Sequence, residues 1–180
     1  MPSSILVAFA SKYGSTQEVA EAIAAELRKA GATVTLERAQ AVKTLEGYSA
    51  IVLGAPIYIG ALHKDALNFL RQHRQELEKR RIAVFALGPT HDDEQERQQS
   101  RAMLDKELAK FPWLVPVTVE LFGGRYEPSK LRFPDSLIAS LPASPLHDAP
   151  ASDVRDWAAI LAWAMSLVAT FQPGVALKRS

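Results

Sequence analysis

The chain alternates two hydrophobic periods through its first two thirds. Residues 5–10, Ile-Leu-Val-Ala-Phe-Ala, are continuously apolar, the pattern of a strand buried on both faces. Over 16–30 the period lengthens. Val19, Ile23 and Leu27 share a stripe while Glu18, Glu21 and Lys29 fall off it, which predicts an amphipathic helix ended by Gly31. Short strands are predicted at 33–36 and 50–54. Helical spacing returns over 64–79 through Ala66, Phe69, Leu70, His73 and Leu77. A fourth strand is expected at 82–87, a polar helix carrying Met103, Leu104 and Leu108 at 92–110, a fifth strand at 115–122 and a last helix at 154–168. Strands alternating with helices imply right-handed crossovers and a parallel sheet covered on both faces. The expected fold is therefore α/β, a doubly wound five-stranded parallel sheet in one domain over 1–180. Between 123 and 152 the pattern breaks into an excursion carrying Pro128, Pro134, Pro142, Pro145 and Pro150, with Pro116 upstream at the strand entry. Structureless loops of that length are uncommon unless they act, so this segment is a functional suspect.

The last helix is unusual, because between Trp157 and Phe171 only Ser166 and Thr170 are polar. A helix without a polar face is normally buried. Ile160, Leu161, Ala164, Leu167 and Val168 are expected to pack on the sheet. Trp157 and Trp163 are expected to lie beneath the excursion, ahead of a homodimer contact and then a peripheral membrane contact. At fifteen residues the stretch is short of the ~20 that a span needs.

Composition narrows the chemistry. Lys and Arg number 21 against 20 Asp and Glu, a net charge of +1, which gives no support for bulk nucleic-acid binding. Cysteine is absent, removing disulfides, thiolate metal sites and cysteine nucleophiles. Met-Pro-Ser-Ser leads into the first strand without a basic region or cleavage site, so no signal peptide is expected and the expected location is cytoplasmic. His63, His73, His91 and His147 lack ligand-like spacing, so no metal site is expected.

In open parallel sheets ligands bind beyond the carboxyl ends of the strands. After the first strand come Ser11, Lys12, Tyr13, Gly14, Ser15 and Thr16, opening a helix. Gly14 permits close backbone approach, and the helix N-terminus offers free N–H groups with a favourable dipole. Three hydroxyls without a Walker lysine suit a terminal phosphomonoester that is held and not cleaved. The competing reading is a capping box, Ser15 with Glu18, which would occupy the serine oxygen locally. After the third strand, Gly54 leads into Ala55, Pro56, Ile57, Tyr58, Ile59 and Gly60, a turn able to approach a flat ring and cover it. Alternatively Tyr58 packs on neighbouring helices. After the fourth strand, Leu87 is followed by Gly88, Pro89, Thr90 and His91, with Asp92, Asp93 and Glu94 read as dipole-favoured acids of a first turn. No G-x-G-x-x-G follows a strand and no G-x-S-x-G elbow exists.

The stretch Phe9 to Thr16, followed by Ala20 and Ile23, resembles the FMN-phosphate signature of flavodoxins, and the 54–60 and 88–91 loops fall where flavodoxins carry their isoalloxazine loops. The resemblance covers nearly the whole chain. Within that group the chain is most similar to the menaquinone-dependent protoporphyrinogen oxidase branch, through Gly54-Ala55, Ile57-Tyr58-Ile59-Gly60, His63, Gly124-Arg125-Tyr126 and Asp156-Trp157. Tyr13 departs from the acidic or threonine residue common in relatives. The resemblance implies noncovalent FMN, with its phosphate in the 11–16 loop and its ring between 55–60 and 87–90, and names no catalytic acid or base. It implies an FMN-dependent oxidoreductase acting on protoporphyrinogen or a related anionic substrate, with a quinone as acceptor. The alternatives are a flavodoxin-like electron carrier working with a redox partner, and a non-catalytic doubly wound binding module. Shuttling flavodoxins are typically acidic. This chain is near neutral, and Arg125, Lys130 and Arg132 are expected near the flavin edge, where they would attract an anionic substrate.

Overall fold

The computed structural model describes residues 4–144 and 146–171. Five parallel strands lie in the order β2-β1-β3-β5-β6: β1 (Ser4–Phe9), β2 (Thr33–Arg38), β3 (Ala50–Tyr58), β5 (Arg81–Leu87) and β6 (Thr118–Phe122). The two-residue β4 (Ala61–Leu62) folds back antiparallel on the end of β3. The inner strands β1, β3 and β5 are the apolar runs. Their alternate residues enter two separate cores, which is why they show no polar face. On one face α1 (Ser15–Lys29) and α6 (Trp157–Phe171) cover Ile5, Val7, Val52 and Phe85. On the other, α2 (Lys64–Gln72) and α4 (Glu94–Leu108) cover Leu6, Ala8, Leu53 and Val84. The chain moves outward from β1 to β2 and returns to the far side of β1 as β3. This reversal opens a crevice at the carboxyl ends of β1 and β3.

The departures from the expected elements have local causes. The fifth strand starts at Thr118 rather than 115, because Pro116 has no N–H to pair and Val115 points into solvent. The 64–79 helix breaks at His73 into α2 and a short α3 (Arg74–Leu77). There the buried imidazole stacks on Phe69 at 4.9 Å and its Nε2 lies 3.3 Å from the Val42 carbonyl oxygen. The last helix begins and ends three residues late, and the face it buries includes Trp163 and Phe171, with Leu161 only partly covered.

That shift corrects the expectation for the tryptophans. Trp163 lies in the sheet core, its ring 5.9 Å from Phe85 and 5.8 Å from Phe122. Trp157 is 39% exposed beneath the Arg155 guanidinium, 4.9 Å from its ring centroid. The excursion covers neither of them as its main task. It leaves the sheet through β7 (Arg125–Tyr126), contains α5 (Asp135–Ser140), and returns as β8 (Ser152–Asp153), antiparallel to β7. Between those ends it folds over the crevice.

Candidate flavin site

The loop after β1 is built to leave donors free. Gly14 adopts φ 91°, a left-handed turn that side chains resist, and α1 starts directly behind it with no side chain capping its N-terminus. Ser11 Oγ accepts the Gly14 N–H at 2.9 Å and fixes the turn. The capping box does not form. Glu18 turns away to accept from Arg155 at 2.7 Å and Arg125 at 3.3 Å, so Ser15 is not engaged by it. The N–H groups of Ser15, Thr16 and Gln17 therefore have no intrahelical partner, and Ser15 and Thr16 line the crevice. Thr16 Oγ1 is buried and has no hydrogen-bond partner. A buried hydroxyl left unpaired is costly, and this one lies at the pocket wall, where it could donate to a ligand oxygen. These features suit a phosphate.

The second wall is the end of β3. Pro56 pairs with Leu87 in the ladder and its carbonyl accepts the His63 N–H at 3.1 Å. The turn Ile59-Gly60 between β3 and β4 carries positive φ at both residues, 45° and 77°, the arrangement favoured in two-residue hairpins. For a β-branched isoleucine that conformation is strained, and Ile59 is 69% exposed at the crevice mouth. Gly54 serves packing rather than a ligand, since a Cβ there would meet the Phe85 ring at 2.0 Å.

Lys12, Tyr13, Ser15, Thr16, Pro56, Ile57, Tyr58, Ile59, Leu87, Gly88 and Thr90, all expected in the site, line one pocket of about 350 Å³. Ser11 and Gly14 shape its loop from behind. Ala55 does not reach it and packs in the core, Gly60 sits at the turn tip, and Pro89 faces a neighbouring hollow. Thr90 N–H is taken by Glu96 at 2.7 Å, which removes it as a ligand donor. The remaining wall comes from the excursion: Arg125 and Lys130, expected near the flavin edge, line the pocket, whereas Leu131, Asp135, Ile138 and Leu146 were not legible as site residues. The apolar members among its polar and proline residues were the signal available.

Charges in the pocket are matched. Arg125 pairs with Glu18 and Glu127 at 3.3 Å each, Lys130 pairs with Glu127 at 2.7 Å, and Lys12 pairs with Asp135. Arg132 is exposed. The expected attraction for an anionic substrate is therefore much reduced. Burial works to raise the Asp135 pKa, but donation from Lys12, Tyr13 and Tyr58 prevails and holds it below the ordinary carboxylate value. Burial, then the hydrogen bond to Asp135, pushes the Tyr13 and Tyr58 hydroxyls up, so both keep their protons. His63 is held below the usual imidazole value by burial, and its neutral Nδ1 accepts the Asp65 N–H at 3.2 Å to cap α2.

The flavodoxin domain model matches residues 6–149. The chain belongs to the flavodoxin-domain family. Members of this family typically bind FMN. Flavodoxin 1 from Bacillus cereus is 20% identical, with 97% of this chain and 100% of that one aligned at a TM-score of 0.54. A flavodoxin from the domain Archaea is 13% identical over 93% of this chain and 98% of its own, with a TM-score of 0.58. Rubredoxin oxygen:oxidoreductase from Desulfovibrio gigas is 15% identical over 94% of this chain, which spans only 36% of that longer protein, at a TM-score of 0.56. Such identities speak to the fold. A comparison with curated proteins finds no match. No helix among the described residues is long and apolar enough to cross a membrane.

Proposed function

We propose that this flavodoxin domain binds FMN noncovalently and acts as an oxidoreductase on a small molecule of its own. The free first turn of α1 and the unpaired Thr16 hydroxyl favour a phosphate in the 11–16 loop. Pro56, Tyr58, Leu87 and Gly88 would flank the ring. Bound there, FMN would supply the electron- and hydride-accepting chemistry. The chain's own residues orient the ring, exclude water from it and hold protons at the Tyr13 and Tyr58 hydroxyls.

One observation favours a small substrate over a protein partner: excursion residues, among them Leu131, Ile138 and Leu146, wall the pocket beside the proposed ring position. The concrete candidate is protoporphyrinogen, or a related reduced ring, with a quinone taking the electrons. It rests on the resemblance of the 54–63, 124–126 and 156–157 segments, and the paired charges remove one of its supports. The test is anaerobic mixing of the FMN-loaded protein with a panel of reductants, following flavin bleaching. Rapid bleaching by protoporphyrinogen and reoxidation by a quinone are expected. Bleaching only by protein redox partners would favour the carrier.

A further inference from the structure

Helix α5 is attached to the rest of the protein in an unusual way. Its buried side chains are Asp135 and Ala139 alone, while Leu137, Ile138 and neighbouring Phe133 and Leu141 are substantially exposed. Short elements are ordinarily fixed by apolar burial. Here a carboxylate takes that place. Asp135 is only 4% exposed, and both side chains bonded to it come from across the pocket, Lys12 and Tyr13 of the loop after β1. Among the described residues no hydrogen bond from the excursion itself reaches the carboxylate. These two donors and Tyr58, at the end of β3, line the pocket at the proposed ring position. Tyr13 and Tyr58 lie 6.5 Å apart at 59°, and the Lys12 ammonium sits 5.6 Å and 4.9 Å from their centroids.

We infer that Asp135 is a positioning residue: its carboxylate latches the 127–151 excursion onto the flavin loops and sets the Tyr13 and Tyr58 rings in the geometry that encloses the ligand. The inference rests on the FMN reading of the pocket for its ligand, though the latch itself exists without one. A surface ion pair between flexible side chains contributes little. A nearly buried carboxylate is different, because losing it leaves the Tyr13 hydroxyl without its acceptor and the Lys12 ammonium without its counter-ion. Asparagine at this position keeps an acceptor for the tyrosine hydroxyls but cannot pair with Lys12, so it should hold the latch partly.

Two readouts test this in the full chain. The first is the rate of FMN release, followed by recovery of free-flavin fluorescence after dilution. The loss of a charge-assisted buried contact predicts release faster by about tenfold in Asp135→Ala and by a smaller factor in Asp135→Asn. The second is limited proteolysis of the FMN-free protein, in which cleavage within 127–151 should rise in the same order. A merely structural ion pair lowers the unfolding temperature without singling out the excursion or the release rate. Release and cleavage both equal to wild type in Asp135→Ala overturn the latch. Should that variant not fold, Asp135→Asn and the Tyr13→Phe/Tyr58→Phe pair carry the same comparison. Wild-type protein that takes up no FMN overturns the reading of the pocket, and the cleavage comparison still decides the latch.

Discussion

Thr16 carries two opposite consequences in one hydroxyl. Its Oγ1 is buried and unpaired without a ligand, so the polar atom is a cost to the folded FMN-free protein. Valine has nearly the same shape and no such atom. We therefore expect Thr16→Val to raise the unfolding stability of the FMN-free protein by about 1 kcal/mol. The same change removes a donor to a charged phosphate and should weaken FMN about tenfold or more. Denaturant unfolding and a flavin titration read the two signs separately. A variant weakened in both would mean that Thr16 bonds within the protein. At this scale the sequence was informative where chemistry is local: six consecutive residues make the loop, with Ser15 and Thr16 lining the pocket while Ser11 and Gly14 shape the turn behind it. Asp135 was not legible. Its partner Tyr13 lies 122 positions away, and a lone aspartate after a proline reads like any loop residue until the fold brings the two together.

At the scale of elements, the entry to α6 is tied to α1 by Arg155, which is buried between Asp153 and Glu18 at 2.7 Å from each. Hydrogen bonding to Arg155 lowers the pKa of both carboxylates below their ordinary values. Depressed folded values mean a contribution fully present above the unfolded carboxylate pKa of about 4 and lost as pH falls through the folded ones. Urea unfolding followed from roughly pH 6 down to pH 3 should show stability declining with acid, and Arg155→Met should flatten that decline. An identical slope in the variant would show that other carboxylates govern it. The inner strands were legible because burial on both faces forces continuous apolar runs, as in 5–10 and 82–87. The break at His73 was not, since the histidine fits the apolar stripe of α2 and its contact with the Val42 carbonyl is tertiary. The same is true of β7 and β8, two residues each, which no periodicity can reveal.

At the scale of the molecule, the sheet order places three loops at one edge, and membership in a family that typically binds FMN makes that edge the proposed flavin site. Beside that edge lies the excursion, its cover. The pairing of β7 with β8 sets Tyr126 opposite Ser152 and Arg125 opposite Asp153, so the cover leaves and rejoins the domain at adjacent points. In polymer terms the two ends are already joined. The entropy of closing a loop grows only logarithmically, about 0.6 kcal/mol for each doubling of length. The size of the excursion is then nearly independent of the stability of the sheet beneath it. Replacing 127–151 by Asn-Gly, a two-residue hairpin turn, should leave a folded domain with unfolding stability changed by no more than about 2 kcal/mol. It should also open the flavin edge to solvent and to large electron acceptors. A shortened chain that fails to fold would show the excursion to be part of the core. One that folds makes the cover a detachable module, so that a single hairpin leaves the pocket beneath it open to its surroundings.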